Sequence, residues 1–149
     1  MASRPLVVID APAVLPPLAR ALARALRRPV LAWDPAAQGS SAFPPEADVL
    51  LELRLPTGCG FHLAQALRTA HPSLGLVFWS LHPSPLDLWI AWRLGAAGCG
   101  DKAELWPQWL DRLRAIERGA PVWSPAQVQT IHTFDQEVGE CLRRLRPAE

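Results

Sequence analysis

The sequence predicts a doubly wound α/β domain built on a five-stranded parallel sheet, and three observations carry that prediction. Short apolar runs alternate with segments of helical period, the pattern of strand–helix–strand units on a parallel sheet. The run Leu6-Val7-Val8-Ile9 is apolar without alternation and ends in Asp10, as a central strand covered on both faces requires. At 149 residues the chain fits one domain, long enough to bury a core.

The elements follow in order. Between Val14 and Leu26, the apolar residues Val14, Leu18, Leu22 and Leu26 recur every four positions, while Arg20, Arg24 and Arg27 take the outer face. This spacing predicts a helix, with Pro12, Pro16 and Pro17 in or before its first turn, where proline is tolerated. Val30 to Trp33 makes a second strand. The stretch from Asp34 to Asp48 is too rich in Pro, Gly and Ser for a helix of several turns, so the second helix is expected to be shortened or missing. Val49 to Leu53 is the third strand, and Arg54 to Gly58 a turn that opens a helix from about Gly60 to Ala70. Leu76 to Trp79 is the fourth strand. Ser84-Pro85 reads as an N-cap followed by proline at the first helical position, starting a helix to about Leu94. Ala96 to Cys99 gives the fifth strand, and Leu105 to Arg118 a helix with Leu105, Trp109, Leu113 and Ile116 on one face.

Beyond Gly119-Ala120-Pro121, the segment Pro125 to Leu145 spaces Val128, Ile131, Val138, Leu142 and Leu145 as an amphipathic helix. It is too short for a coiled coil to be assigned from sequence, and a fold back onto its own domain competes evenly with a dimer seam. The expected division is a domain over residues 1–122 and a C-terminal amphipathic helix or tail over 123–149.

Composition excludes several classes. Half of the residues are hydrophobic and 19% are charged, the balance of a globular protein, and no apolar run approaches a membrane span. The start, Met1 to Pro5, leads into a short apolar run without a small-residue cleavage signature, so no signal peptide and a cytoplasmic location are expected. A net charge of +1 argues against a chain-wide nucleic-acid footprint. The basic cluster Arg143, Arg144 and Arg146 reads as a solvated helix end, where cations suit the dipole. Cys59, Cys99 and Cys141 form no C-x-x-C pair and have no His at ligand spacing, which predicts buried reduced thiols and neither disulfides nor zinc.

The five strand–helix units describe a flavodoxin-like sheet of order 2-1-3-4-5, with ligands bound at the carboxyl ends of its strands. Particular residues narrow this. Asp48-Val-Leu-Leu-Glu-Leu-Arg-Leu-Pro-Thr-Gly58 resembles the receiver motif of bacterial two-component response regulators. Ala70-His-Pro-Ser-Leu74 resembles the link before the fourth strand, and Ser80 stands at the family's Ser/Thr switch position. Gly95-Ala-Ala-Gly-Cys-Gly-Asp-Lys102 resembles its Gly-Ala-x-Gly-Tyr-x-x-Lys run. Gly119-Ala-Pro-Val-Trp-Ser-Pro125 resembles the end of receivers that precede a LuxR-type helix-turn-helix. The likeness runs from the first strand to about Pro125.

In that family a pair of acids after the first strand holds Mg²⁺, an aspartate of the third strand accepts a phosphoryl group, and the Ser/Thr and Lys read its charge. Carried onto this sequence, the resemblance implies a pocket of Asp10, Glu52, Ser80 and Lys102, with three departures. The acidic pair is reduced to Asp10, flanked by Ile9 and Ala11; the acceptor position is Glu52; and Cys99 replaces the aromatic before the lysine. Phosphoryl transfer depends on in-line positioning and charge neutralisation. A glutamate carries its carboxylate about 1.5 Å further out, and a misplacement of that size costs on the order of a hundredfold. Loss of one anchoring carboxylate weakens Mg²⁺, leaving at most a residual weak site at Asp10 and Glu52. Asp48 is about 13 Å from Glu52 along the same strand and at the wrong end to substitute. A degenerate phosphorylation pocket is therefore expected, with Glu52 paired to Lys102 and Ser80 in place of a phosphoryl group.

The chain has seven tryptophans and no tyrosine, and six of the tryptophans gather late, between Trp79 and Trp123. Trp89, Ile90 and Trp92 make the helix from Ser84 apolar on more than one face, and with Trp106 they are the expected interface, because the family commonly makes contacts through this region. The leading expectation is a pseudo-receiver, not an enzyme and without cofactor, that signals independently of phosphorylation by contact with a second copy or another signalling protein. Direct DNA binding is not expected, since only one further helix follows and no helix-turn-helix, and no membrane contact is expected, since no apolar run approaches a span. Two alternatives stand beside it: a phosphorylatable receiver with unusual acceptor chemistry, and a small-molecule-binding flavodoxin-like domain or enzyme using the crevice near His62 or His82. For the last, no nucleophile–base pair or phosphate loop is visible.

Overall fold

The computed structural model describes residues 4–36, 38 and 43–147. Met1 to Ser3, residues 148–149 of the tail, and residues 37 and 39–42 of the segment expected to lack a full helix lie outside the described residues.

Five strands form one parallel sheet: β1 (Leu6–Ile9), β2 (Val30–Ala32), β3 (Asp48–Glu52), β6 (Gly75–Ser80) and β7 (Gly98–Asp101). Their spatial order is β2-β1-β3-β6-β7, the order 2-1-3-4-5 expected from the sequence. The two remaining short strands, β4 (Arg54–Leu55) and β5 (Gly58–Cys59), pair antiparallel as a hairpin outside the sheet. The sequence suggested only a turn there, because two-residue strands carry no periodicity to detect.

The helices are α1 (Leu15–Leu26), α2 (Gly60–Ala70), α3 (Pro85–Arg93), α4 (Trp106–Glu117) and α5 (Pro125–Leu145). Among the described residues no helix joins β2 to β3. Successive residues of a strand face opposite layers, so β1 sends Val7 and Ile9 to one core and Leu6 and Val8 to the other. The first core includes Leu67 of α2, Leu88 of α3 and Ile131 of α5. The second includes Leu22 of α1 and Trp109 of α4. Phe78, Val77, Leu50 and Leu51 are fully buried, as continuous apolar central strands demand.

Ser84 caps α3 as expected: its Oγ accepts from Asp87 N at 3.1 Å, and Ser84 N donates to Asp87 Oδ2 at 2.9 Å. Ser124 caps α5 in the same way with Gln127.

Several expectations need correction. The stripe of α1 is Leu15, Ala19, Leu22 and Leu26. Val14 is 43% exposed because it is the N-cap, not a residue of the helix face. Leu105 is likewise the N-cap of α4 and points outward, and Leu110 takes its place in the core. β7 begins two residues later than expected, since Gly98 and Gly100 give no β-propensity signal. Small residues are needed there: a Cβ on Gly98 would lie 2.8 Å from Val122 Cγ2, and one on Gly100 would overlap the Trp109 indole. All three cysteines are free, but only Cys99 is buried; Cys59 sits on the hairpin and Cys141 on α5, both exposed.

The fold-back of the last helix is plain. Trp89 of α3 packs on Phe134 of α5 with ring centroids 5.7 Å apart, and its indole N–H donates to Asp135 Oδ1 at 3.0 Å. Trp92 meets His132 edge-on at 6.3 Å.

Candidate functional site

Parallel register brings the carboxyl ends of β1, β3, β6 and β7 to one edge of the sheet. Ile9 lies beside Leu51, Glu52 beside Trp79, and Ser80 beside Asp101. Side chains just past or at these strand ends therefore converge, and they are Asp10, Glu52, Ser80 and Lys102. Asp10, Glu52 and Ser80 are all buried, at 4%, 6% and 2% exposure.

Lys102 organises the group. Its backbone N–H donates to Ser80 O at 2.9 Å, which fixes the stem against β6. Its ammonium donates to Asp10 Oδ2 at 2.8 Å and is in direct contact with Glu52 Oε2. The ammonium also lies 4.8 Å from the centre of the Trp79 ring, within cation–π range. One cation thus stands between two carboxylates. Burial works against its charge, but the hydrogen bonds and the negative charges of Asp10 and Glu52 outweigh burial and hold its pKa above the ordinary lysine value.

The other oxygens are engaged too. Glu52 Oε1 accepts from Ser80 Oγ at 2.6 Å and from Arg54 N at 2.9 Å. Asp10 Oδ1 accepts from Ala11 N at 2.7 Å. Arg54 joins the site although no motif in the sequence marks it. Its guanidinium donates to Ser80 Oγ at 2.9 Å and to Asp87 Oδ2 at 3.2 Å, linking the site to the start of α3. Nothing in the sequence could place it, because the hairpin turns it back over the strand end.

Asp48 lies at the opposite edge. There it accepts from Arg28 Nη2 at 2.8 Å in a buried pair, with Arg4 Nε 3.7 Å away. His82, with φ +51, follows β6 and faces Asp101 at 3.3 Å, whereas His62 is exposed on α2. Of the expected interface residues, Trp89 is half-buried under α5, Ile90 is half-buried, and Trp92 and Trp106 remain 38% and 40% exposed.

No protein-family model matches the chain and no curated protein matches it. Solved structures do. A LuxR-family two-component response regulator from Aurantimonas sp. SI85-9A1 superposes with a TM-score of 0.71 at 21% identity, covering 91% of this chain and 99% of that one. RcsB, in a structure of two dimers bound to two parallel DNAs, gives 0.71 at 19% identity over 87% of this chain and 67% of that one. A response regulator from Burkholderia pseudomallei, carrying a phosphorylated aspartic acid and a calcium ion, gives 0.61 at 20% identity over 89% and 74%. These likenesses establish the receiver-type fold of response regulators, flavodoxin-like in topology, with an added C-terminal helix. No helix among the described residues is long and apolar enough to cross a membrane.

Proposed function

We propose that this chain is a receiver-like signalling module that works independently of phosphorylation, through contact with a second copy or another signalling protein. In this reading residues 1–122 form the receiver-like domain and 123–149 an appended helix. The observation that carries it is the ammonium of Lys102 held between Glu52 and Asp10. A carboxylate with one oxygen bonded by both Ser80 and Arg54 and the other in contact with a cation already has three donors in place, which stabilise its charge and lower its reactivity toward an incoming phosphoryl group. The groups that would read a phosphoryl charge, Ser80 and Lys102, are already satisfied by Glu52.

The residues present also fit a divalent cation poorly. Mg²⁺ requires near-octahedral oxygen ligands at short distance. Asp10 and Glu52 both turn an oxygen to Lys102, and among the described residues no three His, Cys, Asp or Glu side chains converge. Self-association is supported by the dimers of the RcsB neighbour.

Incubation with acetyl phosphate and Mg²⁺ followed by intact-mass measurement tests this reading. An unchanged mass is expected. A stoichiometric, Mg²⁺-dependent gain of one phosphoryl group would overturn it in favour of an active receiver with a glutamate acceptor.

The small-molecule reading has one observation in its favour. A cavity of about 440 Å³, lined by Val14, Trp79, Lys102, Trp106 and Trp109 among others, opens beside the site and is of ligand size. A thermal shift with nucleotides would promote this reading.

A further inference from the structure

α5 uses one face in two ways. Along its first half that face is covered: Ile131 is 1% exposed, and Phe134 and Asp135 meet Trp89 of α3. The same stripe continues at Val138, Cys141, Leu142 and Leu145, spaced by three and four residues. There cover by the described residues gives out: Val138 is half-buried, and Leu142 and Leu145 are 56% and 74% exposed. Beside the junction of the two halves runs an apolar groove of about 530 Å³ between α5 and the start of α3, bordered by Pro85, Leu86, Phe134 and Glu137, with Leu86 itself 47% exposed.

We propose that the uncovered half of α5 pairs antiparallel with the same segment of a second copy of this chain, about a two-fold axis passing near Cys141. This deepens the self-association reading above and rests on it. Charge decides the occupant and its direction. Acids come first, at Asp135, Glu137 and Glu140, and bases follow, at Arg143, Arg144 and Arg146. A parallel copy would set the three arginines against three arginines. An antiparallel copy sets each basic end against the acidic end of its partner, and it brings Val138 toward Leu145 of the second copy.

The groove fits the same arrangement. With the axis near Cys141, residues 142–145 of the second copy run beside residues 137–140 of the first, so Leu145 of the second copy lies opposite Glu137, at the end of the groove that Leu86 and Phe134 border. Symmetry provides two such seats, the isologous geometry of a closed dimer. Cys141, exposed and unpaired in the single chain, lies within a few ångströms of its own symmetry mate.

Sedimentation equilibrium of the full chain at micromolar concentration is expected to give twice its mass of 16.4 kDa. Leu142→Glu with Leu145→Glu, on a surface that takes no part in folding the domain, should return the mass to that of one chain with an unchanged far-ultraviolet circular dichroism spectrum, and with a thermal midpoint that no longer rises with protein concentration. Two charge variants test direction. Glu137→Arg with Glu140→Arg, and separately Arg143→Glu with Arg144→Glu, should each be monomeric alone and form a mixed dimer when combined. In a Cys59→Ser background, a short bis-maleimide should cross-link Cys141 to Cys141. A native chain that stays monomeric, a dimer that survives the double leucine change, or charge variants that fail to recombine would each overturn the seam. None of these results bears on phosphorylation, which the mass measurement above decides separately.

Discussion

Lys102 Nζ lies 2.8 Å from Asp10 Oδ2, so the residue after the last strand is tied to the residue after the first, across the ends of β6 and β3 and beside Glu52. In a pocket this enclosed, with the two carboxyl side chains 2% and 7% exposed and the lysine 24%, Lys102 is, among the described residues, the only cation in ion-pair contact with the two buried negative charges. Removing it should be costly even if making the pair contributes little net stability.

Lys102→Met is therefore expected to destabilise the domain by about 3 kcal/mol, the lower end for a broken buried pair because the ammonium retains some contact with water. Urea unfolding measures this. Adding Asp10→Asn and Glu52→Gln to Lys102→Met should recover most of the loss, since the stranded charges go with their partner. A triple variant no more stable than the single one would show that packing of the lysine stem, and not charge, holds the site.

Alkaline pH should separate two groups. Lys102 has its folded pKa above the ordinary 10.5, so its contribution is complete below that value and is lost as pH rises through the folded value. Cys99 is pushed from 9.0 to about 12, first by burial and then by the nearby carboxylates of Asp87, Asp101, Glu52 and Glu104. Its thiol stays protonated in the fold while the unfolded chain ionises, so stability falls as pH rises from 9.0 toward 12, by at most about 1.36 kcal/mol per pH unit. Cys99→Ala should flatten the decline that starts near 9.0 and leave the later one that depends on Lys102. Unfolding free energies measured across this range would contradict the assignment if Cys99→Ala retained the full slope above 9.0.

Much of this arrangement was legible before any coordinates. Strands β1, β3 and β6 announced themselves because both faces are covered, which leaves unbroken apolar runs, and the order of motifs placed Asp10, Glu52, Ser80 and Lys102 at strand ends. What stayed hidden depends on contacts distant in sequence. Arg54 reaches Ser80 only because the β4–β5 hairpin folds it back, and Arg28 meets Asp48 across 20 positions. The second apolar face of α3 was visible as an excess of tryptophan, but a sequence cannot say whose surface covers it. For Trp89 the answer is the chain's own α5.

Trp89 offers a direct measure of that cover. Trp89→Phe keeps an aromatic ring against Phe134 but loses the 3.0 Å hydrogen bond to Asp135, which should cost about 1 kcal/mol. Trp89→Ala removes the ring as well and should cost about 3 kcal/mol. In both variants limited proteolysis should cut within α5 faster than in the native chain, and faster in the alanine variant. Equal cutting rates in all three would mean that α5 is held by Ile131 and Gln127, not by the α3 tryptophan.

Gly60 connects backbone packing to the pocket. Its N–H donates to Leu53 O at 2.8 Å, and a Cβ there would overlap the Glu52 carbonyl oxygen and lie 3.0 Å from Leu53 Cα. Main chain cannot swing aside as a side chain can, so Gly60→Ala must displace the end of β3 or the start of α2. The expected cost is about 2 kcal/mol, as for overpacking elsewhere. Because Arg54 N–H donates to Glu52 Oε1 at 2.9 Å, its amide resonance should shift as the carboxylate moves. Gly119→Ala is the control: nothing lies near its Cβ, and only its φ of +79 is strained, so it should cost about 1 kcal/mol and leave the Arg54 amide unmoved. If Gly60→Ala lowered stability while the Arg54 amide stayed in place, the strain would be absorbed by α2 alone, and Glu52 would be anchored by its side-chain partners independently of the turn beneath it.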